Sequence, residues 1–173
     1  MSTCIKKLCT LFSFLLVIAL TACSQAQTKN GVVAGSSEDT KTYPEAKPNS
    51  YWKQVLSKEA YWIMVEKGTE QPFHNPYWNN HEKGTYVSAA TGKPLFSSDT
   101  KFDSGTGWPS FFKPVDPKAI MIVKDYSDGM VRDEVVERST GLHLGHVFDD
   151  GPAPTGLRYC LDSYALKFVK ADK

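Results

Sequence analysis

The side chains best suited to catalysis lie close together near the C-terminus of the 173-residue chain. His143 and His146 occur in "GLHLGHVFDDGP", and Cys160 occurs in "RYCLDSYALKFV". A cysteine thiolate is a strong nucleophile, and histidine gains or loses a proton near neutral pH. This combination would suit attack by a thiolate assisted by proton transfer, with a chance grouping of structural residues as the alternative.

The segment around Cys160 has an alternating pattern typical of a strand. As one continuous strand, it would place Arg158, Cys160 and Asp162 on the same face. A guanidinium favours the thiolate form of Cys160, whereas an ionised carboxylate disfavours it. The pattern therefore leaves the net effect on the thiol open.

The two nearby histidines are three positions apart, and such positions on a strand face opposite sides of the sheet. His143 and His146 could therefore share a site only if a bulge or turn at Gly145 interrupts the strand. Without that irregularity, their proximity in sequence is a coincidence.

Trp108 stands out in "FDSGTGWPSFF", because Gly105 and Gly107 permit a tight backbone course and Pro109 restricts the chain beside it. Such a segment often presents an aromatic ring to a pocket, where it would suit a small apolar group such as an S-methyl. A core tryptophan in an ordinary loop is the alternative, and these residues by themselves do not separate the two.

The N-terminus has the features of an export signal. Lys6 and Lys7 precede the apolar run "LCTLFSFLLVIAL", which is shorter than the about 18 to 20 residues that a spanning helix needs. Residues 1–22 are therefore predicted to be a signal peptide, and "LTAC" resembles the lipobox of bacterial lipoproteins. Cys23 would then be the lipidated first residue of an exported, membrane-anchored protein, with ordinary secretion as the alternative. Ser24 gives a slight preference for the periplasmic face of the outer membrane.

Processing would also decide the state of the cysteines. Cys4 and Cys9 leave with the signal and Cys23 carries lipid, so Cys160 becomes the single free thiol. Small exported domains usually pair their cysteines in disulfides, so an unpaired one is either buried and inert or kept for its reactivity. The cysteine count alone favours inert burial.

Composition limits the remaining organisation. The whole chain has 20 Lys and Arg residues against 19 Asp and Glu residues, and this near neutrality gives no sign of nucleic-acid binding. Residues 23–49 are polar and show no sustained apolar period, so they are predicted to be a flexible tether. Residues 50–173 hold enough aliphatic and aromatic side chains for one domain with a core.

The predicted domain begins with two small helices in "SYWKQVLSKEAYWIMVEKGTE", capped by Ser50 and Ser57. Short apolar or alternating runs follow, separated by Gly, Pro, Asp and Asn. These runs are "GTYVSAA", "AIMIVKDY", "MVRDEVVER" and "RYCLDSYALKFV". They predict a mainly β domain of antiparallel strands.

Three longer segments, "GTEQPFHNPYW", "KPLFSSDTKFDSGTGWPSFFKPV" and "HLGHVFDDGPAPTGLRYCLDSYALKF", resemble methionine-R-sulfoxide reductase in order and spacing. The resemblance extends over residues 50–170. It implies two antiparallel sheets in a barrel-like or tent-shaped domain with small N-terminal helices. It also implies reduction of the R epimer of methionine sulfoxide, peptide-bound and free, and so repair of oxidised exported proteins.

The resemblance assigns roles to the residues already singled out. Cys160 matches the catalytic nucleophile, which attacks the sulfoxide sulfur and becomes a sulfenic acid. His143 and His146 match the family's paired histidines, one of which protonates the departing oxygen.

Further positions match the substrate site of the family. Trp108 and Phe148 match the pocket that takes the sulfoxide methyl group, and Arg158 and Asp150 match residues that polarise and order the site. Asp162 stands where the family usually has asparagine. Because an ionised aspartate only accepts hydrogen bonds, its part in binding or in tuning the thiol is left open.

Two departures from the family pattern define a subtype. The positions of four zinc-binding cysteines hold Ser88, Thr91, Glu137 and Thr140, which do not supply a thiolate site, so no zinc or other cofactor is expected. Thr106 stands where many members have a resolving cysteine. The resemblance thus implies a monomeric one-cysteine enzyme that an external thiol, such as a thioredoxin-like protein, reduces.

Two other classes of function fit these residues less well than a reductase does. A binding module with an aromatic cage would not need Cys160 together with two histidines. A cysteine hydrolase built on a Cys–His pair would form acyl-enzymes with esters, whereas a reductase consumes a sulfoxide and a thiol.

Overall fold

The computed structural model describes residues 42–172. Two short helices open the domain, α1 at Asn49–Val55 and α2 at Lys58–Met64. Nine strands follow, and they are β1 Gly84–Ser88, β2 Pro94–Ser97, β3 Lys101–Phe102, β4 Ser110–Phe111, β5 Ile120–Asp125, β6 Arg132–Glu137, β7 His143–Phe148, β8 Arg158–Leu161 and β9 Leu166–Lys170.

The strands form two antiparallel sheets. The smaller sheet has the order β2-β1-β9, and the larger has the order β3-β4-β8-β7-β6-β5. This confirms the predicted mainly β class with two antiparallel sheets and small N-terminal helices. The barrel-like closure is not found, because both sheets stay open and the described residues form no closed barrel.

Side chains from both sheets and from the helices share one core. Phe96 of the smaller sheet and Phe111 of the larger one are fully buried, with ring centroids 4.8 Å apart. Trp52 of α1 and Ile63 of α2 join the same cluster. The inner face of the six-stranded sheet therefore packs against this shared core.

One of the two predicted helix caps is present. The hydroxyl of Ser57 accepts a hydrogen bond from the backbone N–H of Ala60 at 3.1 Å, which satisfies a free donor at the start of α2. The prediction for Ser50 was wrong, because Ser50 lies inside α1 and Pro48 precedes that helix without a side-chain cap.

The segment "RYCLDSYALKFV" is not the single strand that its alternation predicted. β8 ends at Leu161, a short 3₁₀ turn occupies Ser163–Ala165, and β9 continues in the other sheet. Asp162 therefore lies at the turn rather than on the strand face that carries Arg158 and Cys160. The chain changes sheets at this point, which the local pattern does not reveal.

The residues just before α1 contact the domain. The backbone N–H of Glu45 donates to the carbonyl of Ser139 at 2.7 Å, and the Glu45 carboxylate pairs with Lys93. The predicted signal peptide (1–22), the lipidated Cys23 and the tether up to residue 41 lie outside the described residues. Within residues 42–172, neither helix has the length and apolarity to cross a bilayer.

Candidate active site

A row of four side chains crosses four neighbouring strands of the larger sheet. Cys160 on β8 pairs with Ser110 on β4 and with His146 on β7, and His146 pairs in turn with Glu134 on β6. Directly opposed residues of antiparallel strands lie on the same face, with Cβ atoms about 4.5 to 5.5 Å apart. Strand pairing alone therefore brings the thiol beside an imidazole.

The irregularity predicted at Gly145 is present and brings the histidines together. Val135 pairs with Gly145 and Val136 with His143, which leaves Leu144 as an extra residue in β7. Gly145 has a φ of 146°, and a Cβ there would lie 2.2 Å from the backbone oxygen of Cys160. As a result, the rings of His143 and His146 lie with centroids 5.4 Å apart.

His143 is buried between two carboxylates. Its Nδ1 lies 2.7 Å from Oε1 of Glu134, and its Nε2 lies 3.5 Å from Oδ2 of Asp162. The other oxygen of Glu134 accepts from Nζ of Lys67 at 2.8 Å. Burial acts to lower the pKa of His143, but the two carboxylates outweigh it and the pKa is raised. Only the imidazolium has a donor on both nitrogens, so this setting favours the charged ring.

His146 has a different environment. Its Nε2 lies 2.9 Å from Oδ2 of Asp125, and that carboxylate also accepts from Arg132 at 2.8 Å. Burial lowers the pKa of His146 despite the nearby carboxylate. The two histidines are thus neighbours with opposite tendencies, one toward the charged form and one toward the neutral form.

Cys160 is partly exposed at the end of a chain of hydroxyl groups. Its Sγ lies 3.9 Å from Oγ1 of Thr106, which contacts Ser104 at 2.8 Å, and Ser104 contacts Ser110 at 2.7 Å. Burial raises the pKa of the thiol, and this outweighs the nearby charge of Arg158, which favours the thiolate. The sequence left open whether the pKa of Cys160 is raised or lowered, and burial raises it.

Arg158 is fixed by contacts on two sides. Its Nε and NH2 groups donate to the two oxygens of Asp150 at 2.8 and 2.9 Å, which is the bidentate geometry of a strong pair. Its guanidinium lies 4.4 Å from the ring centroid of Phe148. Asp150 and Phe148 therefore hold the guanidinium whose charge favours the thiolate form of Cys160.

A cavity of about 150 Å³ opens above this row. The indole of Trp108 forms one wall and is oriented by a 3.1 Å hydrogen bond from its Nε1 to the carbonyl of Glu70. The lining residues are Thr69, Trp108, Arg132, Gly145, His146, Phe148, Cys160, Leu161 and Asp162. Five predicted site residues meet there. His143 and Arg158 are outside the lining but contact residues that belong to it, and the exposed Asp150 contacts Arg158.

Two buried glutamates of the site were missed by sequence reasoning. Glu134 sits among valines in "MVRDEVVER", and an acid at a core position of a strand is a signal that could have found it. Glu70 accepts from the backbone N–H groups of Ser163 and Tyr164, and burial raises its pKa to about 7. Its partners lie more than ninety positions away, so no local pattern marks it.

The four positions that match zinc-binding cysteines also come together. Ser88 and Thr140 donate to the carboxylate of Glu137 at 3.1 and 2.8 Å, and Thr91 donates to its other oxygen. These groups satisfy one another, and three hydroxyls with one carboxylate do not fit a tetrahedral zinc site. Residues 42–172 contain no other cluster of three or more His, Cys, Asp or Glu side chains placed to hold a metal ion.

Comparison with known proteins agrees with this geometry. Residues 56–170 match the model of the SelR domain. The chain is 53% identical over 122 residues to peptide methionine sulfoxide reductase MsrB of Agrobacterium fabrum, covering 70% of this chain and 90% of that protein. It is 52% identical over 128 residues to the MsrB of Leptospira interrogans, covering 74% and 98% of the two chains. The chain therefore belongs to the MsrB family of peptide methionine sulfoxide reductases.

Proposed function

We propose that this enzyme reduces the R epimer of methionine sulfoxide to methionine, in peptides and as the free amino acid, through a sulfenic acid at Cys160. One observation carries the proposal: the thiol of Cys160 and the imidazole of His146 are cross-strand partners in one cavity, walled by Trp108 and Phe148. The aromatic walls suit a methyl group on sulfur. Membership of the MsrB family supports the same reaction.

The chemistry is a transfer of one oxygen atom. The thiolate of Cys160 attacks the sulfoxide sulfur, the bond between that sulfur and its oxygen breaks, and the oxygen ends on the cysteine sulfur as a sulfenic acid. The sulfoxide gains two electrons and the thiol loses two. A positioned acid that protonates the oxygen contributes about 10²- to 10⁴-fold to such a step.

The position of the histidines divides their roles. His146 lines the cavity, and because Asp125 engages its Nε2, its Nδ1 is the nitrogen left for the substrate oxygen. His143 is outside the lining, and its charge acts through Asp162, which does line the cavity. The neutral ring keeps its one proton on Nε2 against Asp125, so His146 donates from Nδ1 only as the imidazolium, and its lowered pKa makes that form a readier proton donor. We therefore assign proton donation to the imidazolium form of His146 and electrostatic support to the pair of His143 and Asp162.

The sulfenic acid needs an external thiol. Cys160 is the one cysteine within residues 42–172, and lipid at Cys23 would leave no other free thiol after processing. A thioredoxin-like reductant would form a mixed disulfide with Cys160 and release water, and its second thiol would then restore the enzyme. The partial exposure of Cys160 supports this access.

We also propose a monomer without zinc or another cofactor. The mutual hydrogen bonds of Ser88, Thr91, Thr140 and Glu137 support this form, because they fill the place of the family's zinc-binding cysteines. The N-terminal "LTAC" supports export and lipid anchoring through Cys23, with the outer membrane as the preferred location. The substrates in that location would be oxidised exported proteins.

The test is an assay of the two separated epimers of methionine sulfoxide with dithiothreitol as the reductant. The wild-type protein should consume the R epimer and leave the S epimer. Cys160→Ser should lose turnover while its circular dichroism spectrum stays unchanged. Consumption of the S epimer, or turnover by the folded Cys160→Ser variant, would contradict the proposal.

A further inference from the structure

A second cavity of about 210 Å³ adjoins the first. Trp108 lines both cavities. The second lining contains no cysteine or histidine. Its members are Phe73, Trp78, Asn79, Asp103, Ser104, Gly105, Gly107 and Trp108.

Three aromatic side chains line this second cavity. The rings of Phe73 and Trp78 meet edge to face with centroids 5.3 Å apart, and the indole of Trp108 completes the set. Phe73 is 49% exposed, although a large apolar side chain gains most from burial. An exposed aromatic set of this kind in a concave site suits an apolar ligand.

The backbone holds Phe73 in an uncommon conformation. Its φ is +61°, a left-handed region that is strained for a bulky side chain. Its N–H donates to the carbonyl of Gly107 at 2.9 Å, and the side chain of Asn75 donates to the same carbonyl at 2.7 Å. The backbone of Phe73 is therefore held against the loop that carries Trp108.

This coupling also requires the glycine before Trp108. A Cβ at Gly107 would lie 2.7 Å from the backbone nitrogen of Phe73, and Gly107 itself has a φ of +88°. The close approach of these two segments sets Phe73 beside the loop of the catalytic cavity. Both cavities are thus parts of one continuous surface.

We propose that the second cavity is a subsite for a large apolar side chain, aromatic by preference, two residues away from the methionine sulfoxide of a peptide substrate. This inference rests on the proposed function of the first cavity. An extended peptide rises about 3.3 Å per residue and sends alternate side chains to the same side, so such side chains are about 6.6 Å apart. Two groups that both contact Trp108, each at about 3.5 Å, can have a similar separation of about 7 Å, and Trp108 lines both cavities.

The charges near the rim refine the choice of side chain. Asp103 is exposed at the edge of the cavity, so an acidic side chain in the subsite would meet a like charge. Edge-to-face packing against Phe73 and Trp78 favours an aromatic ring over an aliphatic chain. Phenylalanine should therefore be preferred over leucine, and both over glycine and glutamate.

The experiment compares kcat/KM for short peptides that contain one methionine-R-sulfoxide. The residue two positions before or after it is Phe, Leu, Gly, Lys or Glu, and N-acetylmethionine-R-sulfoxide serves as the reference substrate. At one of these two positions, the wild-type enzyme should prefer Phe over Gly by about tenfold. Phe73→Ala should remove most of that preference and leave kcat/KM for the reference substrate unchanged.

Two further variants control the result. Phe73→Leu, which keeps an apolar side chain, should retain part of the preference. Tyr51→Ala removes a similarly exposed ring from α1, outside both cavities, and should retain all of it. Equal rates for all peptides, a preference for Lys or Glu, or a Phe preference that survives in Phe73→Ala would overturn the subsite. Loss of activity toward N-acetylmethionine-R-sulfoxide in the wild-type protein would instead contradict the proposed function.

Discussion

His143 is the residue whose chemistry depends most on its neighbours. With a carboxylate at each ring nitrogen, it is stabilised as an imidazolium, and Asp162 supplies one of those carboxylates. Members of the family usually have a neutral asparagine at that position, so this chain carries one more negative charge in its site. The same charge also acts on Cys160, where it raises the pKa of the thiol.

Asp162→Asn should therefore move the activity of the enzyme to lower pH. Asp162 raises the pKa of both Cys160 and His143, so its removal lowers both. The thiolate then forms at lower pH, and the imidazolium is lost at lower pH. The acid limb of the pH profile of kcat/KM, which thiolate formation sets, should shift downward, and the pH dependence of Cys160 alkylation by iodoacetamide should shift with it.

A matched substitution is available for that test. Asp99→Asn removes an exposed carboxylate that pairs with Lys83, away from the cavity, and should leave the profile in place. An unchanged or upward-shifted profile in Asp162→Asn would show that this carboxylate does not set the two pKa values.

Thr106 occupies the position from which a second thiol could reach the nucleophile. Its Oγ1 lies 3.9 Å from Sγ of Cys160, so the two side chains already meet. In Thr106→Cys, one turnover without reductant should end in a disulfide within the chain. The wild-type enzyme should instead add one dimedone group at Cys160, because residues 42–172 contain no second thiol to react with its sulfenic acid. Mass spectrometry after a single turnover distinguishes these products, and dimedone addition to the Cys variant in place of a disulfide would contradict the expectation.

At the scale of the element, the bulge in β7 decides whether the histidines share a site. Gly145→Ala should destroy this arrangement, because its Cβ would lie 2.2 Å from the oxygen of Cys160 and its φ of 146° is unfavourable for alanine. The strain alone is of order 1 to 3 kcal/mol, and the clash adds to it. We expect a loss of at least about 3 kcal/mol in the free energy of unfolding, measured with urea.

The exposed Gly92, also at positive φ, provides the comparison for this prediction. A Cβ there meets no atom within 4 Å, so Gly92→Ala carries the backbone strain without the clash. If both variants lose the same free energy of unfolding, the close approach of β8 does not restrict a side chain at position 145.

The cluster around Glu137 joins turns from different sheets. Ser88 and Thr91 belong to the β1–β2 hairpin, and Thr140 belongs to the turn between β6 and β7. Glu137→Gln removes the charge and places an amide N–H₂ against hydroxyl groups, so the free energy of unfolding should fall by about 1.5 to 3 kcal/mol. Urea unfolding measures this loss.

A control substitution and a chelator test accompany the Glu137→Gln variant. Glu82→Gln alters an exposed carboxylate paired with Lys170 and should change stability by less than about 1 kcal/mol. A metal chelator should leave the unfolding of the wild-type protein unchanged. Destabilisation by the chelator would show that the hydroxyl and carboxylate groups hold a metal after all.

At the scale of the whole molecule, the predicted anchor determines where the enzyme acts. Cys23→Ala should remove the lipid and release the protein from the membrane fraction, because a diacylglyceryl group is then missing. The soluble variant should keep the kcat/KM of the wild type toward N-acetylmethionine-R-sulfoxide, because Cys23 lies outside the matched SelR region. Fractionation and an activity assay check both outcomes, and equal membrane binding in both proteins would place the anchor elsewhere.

The sequence by itself determined the class of the fold and the identity of the main reacting groups. Alternating runs of apolar residues require strands, and Cys160 and the histidines are recognisable from their chemical types. Gly145 was also marked, because only a break in the strand could bring positions three apart to one face. Ser57 was found as a helix cap for the same local reason, whereas the cap predicted at Ser50 lies two residues after the true N-cap position, Pro48.

The tertiary structure alone decided the change of sheet at Asp162, the presence of Glu134 and Glu70 in the site, and the protonation of His143. These features depend on contacts between segments far apart in the chain, such as the bond between Glu70 and Ser163. Charge states depend on burial and on the distance to other charges, and neither quantity is contained in a local pattern. The side-chain types can be read along the chain, but the shifts of their pKa values arise only when strands pair and exclude water.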